Sequence, residues 1–352
     1  MSRILLKWMP AVAVPAVIAV GVLAVPLQAG ASVDLPSTTP KQVLELVAGS
    51  TVDTFSGTLE QSSELGLPEL PSTGDAAAGE VSDALDLLTG SHTVRIYQNG
   101  EDQSRVQVQD TMSERNLIRN GSDVWLYDSA DNTALHTTLP ADAGPQTSPE
   151  KSYTPGELAD TFLAAVTPST IVSLGENTEV AGRGAYELVL TPNTADTLVG
   201  SVAIAVDSET GLPLRVEVHA ADDAAEPAIS VGFTTLSLDA PDADLFNFAP
   251  PAGATVTEKT LPRPTDAPPT TGDHSGVTII GTGWDAVVAM PAGADGSALA
   301  ELTASPLYTQ LTDAVDGGRA VSTELLSVLI TDDGRVFAGS VPVERLQAVA
   351  EE

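Results

Sequence analysis

The residues that most often carry chemistry in proteins are sparse or widely separated in this sequence. The chain has no cysteine, and its four histidines are far apart: His92, His136, His219 and His274. A metal site needs several such ligands at matched spacing, so we interpret these histidines as solvated surface residues. The sequence therefore predicts no metal site.

Motifs for nucleophilic or cofactor chemistry are missing as well. No serine lies in a Gly-x-Ser-x-Gly turn, the motif that exposes the nucleophile of many hydrolases. The acidic turn at 128–132 lacks the glycine and the distal glutamate of a calcium loop. The GTG segment at 281–283 is not followed by the third glycine of a dinucleotide-binding loop. We therefore expect a protein that is not an enzyme and that uses no cofactor.

The opening segment, residues 1–31, has the three-part layout of a secretory signal peptide. Arg3 and Lys7 precede an uncharged apolar run over 9–27, and small residues occupy 29–31. We predict cleavage at the end of this segment. The alternative is an uncleaved membrane anchor, because the run approaches the ~20 residues that span a bilayer. In either case the body of the protein is expected outside the cytoplasm, secreted or in the cell envelope.

The composition narrows the classes of partner. The formal net charge is −33, which repels nucleic acid at long range, so we exclude nucleic acid as a partner. Without cysteine the chain can form no disulfide. Its stability must therefore come from the burial of apolar surface.

Alternation of apolar and polar residues predicts that much of the chain forms antiparallel sheet with one buried face. The pattern is clearest in 93–97, 105–109, 123–128, 201–208 and 212–220.

Three helices are predicted beside these strands. Thr39, Pro40 and Gln42 form a capping box and a favourable first turn for one helix. The others are a short helix over 80–89 and an amphipathic helix over 154–166.

The chain is expected to form two domains after the leader. Residues 32–260 would be the main domain, and residues 261–276 a linker rich in proline and threonine. Residues 277–352 would be a small α+β domain. In it we predict a helix over 297–315, interrupted at Pro306, and a hairpin across 332–334.

Five segments of the main domain, taken in order, carry a family resemblance. They are FSGTLEQ at 55–61, NGSDVWLYD at 120–128, VAGRGAYELVL at 180–190, DSETGLPLR at 207–215 and LFNFAPPAGA at 245–254. The chain resembles the LolA/LolB-like superfamily of lipoprotein carriers, most of all its actinobacterial LolA-like branch (DUF2092). The same superfamily includes sensor proteins of the RseB/MucB type.

The resemblance covers about 35–256 and implies a mainly β fold with some α. The sheet would be a strongly curved antiparallel sheet, an unclosed barrel, with lid helices across its mouth and acyl chains in its concave face. The implied function is an extracytoplasmic carrier or chaperone for a lipid or an acylated lipoprotein. The alternative is an RseB-like envelope-stress sensor that regulates an anti-sigma factor and therefore has a membrane-protein partner. A third alternative, an exported hydrolase, has no site in the sequence.

Apolar residues of the strands and of the 154–166 helix are the candidates that would line such a groove. The set is Phe55, Leu59, Val94, Ile96, Val106, Val108, Trp125, Tyr127, Leu158, Phe162, Leu188, Val202, Ile204, Val216, Val218 and Phe233. Each could also be ordinary core, since any antiparallel sheet buries one face, and this alternative stays open. Trp125 and Tyr127 are favoured for the groove because amphipathic rings suit a pocket mouth.

Two features depart from the family pattern. Aromatic residues make up only 4 % of the chain, so Val, Leu and Ile would line most of a groove. The carriers latch their lid with an arginine in an early strand, and that arginine has no clear match here. Arg105 is a candidate substitute, with a polar-face strand arginine as the alternative.

Overall fold

The computed structural model of the protein describes residues 33–66, 90–109, 113–139, 163, 166, 168–223, 225–260, 277–292 and 306–351. The predicted leader at 1–31, the helix at 80–89 and the linker at 261–276 lie outside these residues, as do Leu158 and Phe162. Within the described part, the chain forms one large sheet and one small sheet.

Helix α1 spans Pro40–Ala48, as its capping box predicts. The backbone amide of Gln42 donates to the Thr39 hydroxyl at 3.3 Å, and the Thr39 amide donates to the Gln42 side chain at 3.0 Å. Such a box satisfies amides that a helix start leaves without partners. The helix buries Val43, which packs in one cluster with Leu188 of the large sheet. Helix α1 therefore covers part of one face of that sheet.

The large sheet contains thirteen strands within the described residues. They are β1 (Thr54–Ser63), β2 (Gly90–Asn99), β3 (Gln103–Gln109), β4 (Glu114–Asn120), β5 (Asp123–Asp128), β6 (Thr133–Thr138), β7 (Thr170–Leu174), β8 (Thr178–Val180), β9 (Arg183–Pro192), β10 (Val199–Asp207), β11 (Pro213–Ala220), β12 (Pro227–Ser237) and β13 (Thr255–Thr260).

The strand order across this sheet is β13-β6-β5-β4-β3-β2-β1-β12-β11-β10-β9-β7, with β8 paired to β9. The order is linear, with β13 and β7 at its two ends. The sheet is curved and does not close, which confirms the predicted mainly β fold with an unclosed barrel.

Strands β2 to β6 form a meander in which each strand pairs antiparallel with the next. Gly100 and Gly121 have positive φ angles of 67° and 62° in two of its turns, the conformation that Asn-Gly pairs favour. Strand β1 pairs with both β2 and β12, so it joins the meander to strands β9–β12.

The sequence does not predict β7, β8 and β13. Strand β8 has only three residues, too few to show alternation. Strand β13 reads TVTEKT and contains a single apolar residue. Its backbone pairs in parallel with β6, and this pairing, rather than burial of side chains, makes it a strand.

The small sheet contains six strands within the described residues. They are β14 (Thr278–Ile280), β15 (Val287–Met290), β16 (Asp313–Val315), β17 (Gly318–Ser322), β18 (Ser327–Thr331) and β19 (Val336–Gly339). Helices α2 (Pro306–Leu311) and α3 (Val343–Ala350) accompany them. The order is β14-β15-β19-β18-β17-β16.

Two predictions for this region have different outcomes. The hairpin across 332–334 is confirmed, because β18 and β19 pair on either side of it. The helix over 297–315 is wrong at its end, because residues 313–315 pair with β17 as strand β16. The physical reason is the turn at Gly317, whose positive φ of 78° reverses the chain into a hairpin instead of extending the helix.

Contacts between the two sheets are specific. The indole Nε1 of Trp284, in the short 3-10 helix η2 (Gly283–Asp285), donates to the Thr170 hydroxyl at 2.8 Å. The Leu198 amide donates to the Ser340 carbonyl, also at 2.8 Å. Within the described ranges, no helix combines the length and the apolar character needed to cross a bilayer.

Candidate functional site

One face of the large sheet carries a continuous apolar row across six neighbouring strands. Its members are paired in register from β6 to β1: Leu135, Leu126, Leu117, Val106, Ile96 and Gly57. Because neighbouring strands lie about 4.8 Å apart, the row is about 24 Å long. Four of its members, including Leu126 and Leu135, are at most 6 % exposed. We call these six residues the apolar row.

The apolar surface around the row is wide at β1–β3 and narrow at β4–β6. At β1–β3 the neighbouring register level is also apolar: Leu59, Val94 and Val108. At β4 and β5 the same level is charged, because Arg115 pairs directly with Asp128, and at β6 it is Thr133. Arg119 lies on the other side of the row, opposite Val124. The row is therefore a narrow apolar strip with charged borders at this end.

Two phenylalanine rings close the row at β1. A Cβ atom at Gly57 would lie 2.6 Å from a ring carbon of Phe233, so the Phe233 ring occupies the space over Gly57. The Phe55 ring meets it nearly edge to face, with centroids 6.1 Å apart and planes at 85°, an arrangement that aromatic pairs prefer. Both side chains are buried. No other residue type would leave room for the Phe233 ring at position 57.

The opposite end of the row has a polar edge. Strand β13 lies beside β6 in parallel, and its Thr257 pairs with Leu135 and is exposed. On the reverse face, Nδ1 of His136 lies 2.8 Å from Glu258 and Nε2 lies 3.0 Å from Asp123. His136 therefore connects β13 to β5, and the buried Leu135 at this end of the row lies next to the exposed Thr257.

Trp125 and Tyr127 lie on the reverse face, because they alternate with Leu126 along β5. The Trp125 ring stacks on His136, with centroids 4.2 Å apart. The Phe248 ring lies 5.4 Å from Trp125 and 5.5 Å from Tyr127. This aromatic cluster packs behind the sheet and does not contribute to the apolar row.

Arg105 also lies on the reverse face. Its guanidinium donates to the Asn116 side chain at 2.8 Å and to the Leu245 carbonyl at 3.1 Å. Leu245 belongs to the 3-10 helix η1 (Ala243–Phe246). Arg105 thus matches the alternative of a polar-face strand arginine, and it anchors η1 to the reverse face of the sheet.

The apolar face continues over β9–β12, where other parts of the chain cover it. Leu188 packs with α1. Leu325, from the region of the small sheet, is buried in one cluster with Val202 and Val218. The protein's own side chains therefore fill this half of the face.

Twelve of the sixteen predicted residues lie on this one face. They are Phe55, Leu59, Val94, Ile96, Val106, Val108, Leu188, Val202, Ile204, Val216, Val218 and Phe233. Trp125 and Tyr127 cannot line the same surface, and Leu158 and Phe162 lie outside the described residues. The predicted set omitted Leu117, Leu126 and Leu135. Their signal was alternation within β4–β6, but the preference for aromatic rings selected the reverse face of β5.

Buried charged side chains lie on the reverse face of strands β9–β12. Arg215 sits 3.6 Å from Glu187 and 3.2 Å from Glu217. Burial raises the pKa of Glu187, although the charge of Arg215 opposes this shift. Burial alone would also raise the pKa of Asp207, but hydrogen bonds from Arg183 and from two backbone amides lower it overall. Across the described residues, no group of three metal-ligating side chains converges.

Comparison with known proteins gives structural similarities only. No family model and no curated protein matches the chain. A chain of the Pseudomonas aeruginosa MucA/MucB complex is 16 % identical, with a TM-score of 0.45, and the match covers 88 % of this chain and 96 % of that one.

Two smaller structures are also similar. A LolA superfamily protein from Nitrosomonas europaea is 13 % identical with a TM-score of 0.23, over 60 % of this chain and 99 % of that one. LprF from Mycobacterium bovis is 11 % identical with a TM-score of 0.26, over 56 % of this chain and 91 % of that one. Such similarity concerns the course of the chain and assigns no activity. The solved structures that the fold resembles include MucB and a LolA-superfamily protein.

Proposed function

We propose that the protein binds an acyl chain of a lipid or of an acylated lipoprotein along the apolar row, outside the cytoplasm. The apolar row carries this proposal. It is an apolar strip about 24 Å long that ends beside the exposed Thr257 of β13 and is bordered by Arg115 and Asp128 at β4 and β5. A linear hydrocarbon has the matching shape and polarity, and its head group would meet the polar edge.

The energetics support a carrier. An acyl chain of roughly 16 carbons loses about 12 kcal/mol of burial when it enters water, at about 0.8 kcal/mol per methylene. It therefore does not cross an aqueous compartment unaided at a useful rate. A protein that moves it must offer apolar surface of similar length, and the predicted leader at 1–31 delivers this protein to such a compartment.

The most direct experiment is native purification from the producing cell, followed by lipid extraction and mass spectrometry. We expect acyl lipid in stoichiometric amounts. A protein that is recovered empty and that also fails to bind fluorescent fatty-acid probes would show that the apolar row is ordinary core.

A matched pair of variants on β5 localises the site. Leu126→Asn places an amide against the hydrocarbon without a hydrogen-bond partner, so probe affinity should fall at least about tenfold. Trp125→Leu changes the reverse face of the same strand and should leave affinity within about twofold. Equal losses in both variants would place the binding surface elsewhere.

A second candidate function is an RseB-like sensor that regulates an anti-sigma factor. The observation that favours it is the hydrogen-bonded contact between the regions of the two sheets. Trp284 donates to the Thr170 hydroxyl, and the Leu198 amide donates to the Ser340 carbonyl. Such a contact offers a route by which occupancy of one domain can alter the other. Cross-linking in intact cells discriminates the two functions: a sensor should be recovered with a membrane protein, and a carrier mainly with its lipid cargo.

A further inference from the structure

Strand β13 is attached to the large sheet with little burial of its side chains. Residues 255–258 are all exposed, and even Val256 is 44 % exposed. The strand pairs in parallel with β6, an arrangement that is slightly less stable per residue than antiparallel pairing. In the described part of the sheet it is an edge strand. A side-chain contact to β13 therefore matters more for its attachment than it would in a buried strand.

One histidine joins β13 to the neighbouring strands. Nδ1 of His136 lies 2.8 Å from a carboxylate oxygen of Glu258 on β13, and Nε2 lies 3.0 Å from a carboxylate oxygen of Asp123 on β5. Both distances are those of hydrogen bonds. We call His136, Asp123 and Glu258 the histidine clasp.

Both contacts of the clasp are hydrogen bonds to carboxylates only when the imidazole is protonated. An ionised carboxylate only accepts, and a neutral imidazole has a single N–H, so its second nitrogen would point a lone pair at an oxygen. The imidazolium donates from both nitrogens, and such charge-assisted bonds are the stronger kind. The Trp125 indole stacks on His136 with centroids 4.2 Å apart, and it favours the same form because an aromatic face attracts a cation.

The titratable groups around this ring come from the two strands that flank β6. Strand β5 contributes Asp123 and Tyr127, and β13 contributes Glu258. On β6 itself the neighbours of the ring on this face are uncharged. Lys259 alternates to the other face of β13. The charges that face His136 are therefore the two carboxylates, and both favour the imidazolium.

We infer that β13 is attached to the large sheet in a pH-dependent way, through protonation of His136. Histidine is the side chain whose charge ordinarily changes between about pH 5 and 8. At the acidic end of this range the clasp is closed on both carboxylates. As pH rises, the ring loses one proton to solvent and one of the two bonds becomes a repulsive contact. The backbone pairing with β6 then holds β13 with one bond fewer, at the point where the chain leaves the large sheet.

Hydrogen exchange of the full chain, followed by mass spectrometry at about pH 5.5 and about pH 8, tests this inference. The values are corrected for the pH dependence of the exchange chemistry itself. We expect the β13 amides to be about fivefold better protected at the lower pH, a modest factor because exposed ion pairs are individually weak. Strand β7, at the other end of the sheet, should not change. Equal protection of β13 at the two pH values would overturn the inference.

Glu258→Gln is the first variant, because the Glu258 side chain is 71 % exposed and its replacement leaves the fold intact. It should lower the protection of β13 at the lower pH and remove most of the pH dependence, and His136→Gln should do the same. His92→Gln is the matched control, since it removes a histidine from β2 of the same sheet and should keep the wild-type pH dependence. If Glu258→Gln keeps the full difference, or if His92→Gln loses it, a group outside the clasp controls β13 and the inference is wrong.

Discussion

The two halves of the apolar face follow the same strand pattern but differ in what packs on them. On β9–β12, Leu188 packs with α1 and Leu325 packs on Val202. On β4–β6, the cluster around Leu126 and Leu135 contains only Leu117 besides them among the described residues. The comparison shows that alternation identifies an apolar face without identifying what occupies it.

The largest expected effect comes from the same truncation made in each half. Leu188→Ala should cost about 2–5 kcal/mol of unfolding free energy, because α1 and its neighbours would leave a cavity. It should not change probe affinity. Leu126→Ala should weaken probe binding, because Leu126 belongs to the apolar row. Urea unfolding and probe titration measure both quantities, and unchanged probe affinity in Leu126→Ala would remove the distinction between the halves.

A smaller effect is expected at the start of α1. Thr39→Ala removes the capping box and should cost about 1 kcal/mol, with increased hydrogen exchange in α1. Thr38→Ala is the control, because Thr38 precedes the cap and its hydrogen bond to the Gln42 side chain is a long one of 3.4 Å. A loss of probe affinity in Thr39→Ala would mean that the ligand also extends under α1. That result would contradict the finding that the protein's own side chains fill the apolar face over β9–β12.

The smallest expected effect is a pH dependence of folding stability that arises from Glu187, on the reverse face of strands β9–β12. Burial raises the pKa of Glu187 in the folded state, so its charge destabilises the fold as pH rises through that pKa. Glu187→Gln should therefore be slightly more stable than wild type at pH 7. The gain should vanish below about pH 4, where the carboxyl is protonated in both states. Thermal unfolding at the two pH values tests this, and a variant less stable at pH 7 would show that the bond to Arg215 dominates.

Local features of the fold could be predicted because local chemistry decides them. The capping box at Thr39 and the Asn-Gly turns before β3 and β5 each depend on a few consecutive residues. The face assignment of β5 depends instead on pairing with β4 and β6, which sets Leu126 between Leu117 and Leu135. The aromatic residues Trp125 and Tyr127 suggested that the reverse face of β5 would line the groove. Only the pairing register shows that Leu126 lies on the apolar face instead.

The position of the Phe233 ring over Gly57 could not be predicted for a similar reason. It requires that Phe233 of β12 lie beside β1, a pairing between opposite ends of the domain. Nothing near Gly57 in the sequence shows that a ring will occupy the space above it. Likewise, β13 is a strand only because β6 is already there to pair with it.

This topology also has a consequence for the order of folding. Within the meander, strands β2–β6 pair with one another in sequence order, so their loops close quickly at low contact order. The β1–β12 pairing, such as Ser56 with Ser237, closes a loop of most of the domain and carries a larger entropy cost. We expect the meander to form first. Phe233 would then arrive late, so the half-formed sheet passes through a stage in which no aromatic ring shields the backbone at Gly57.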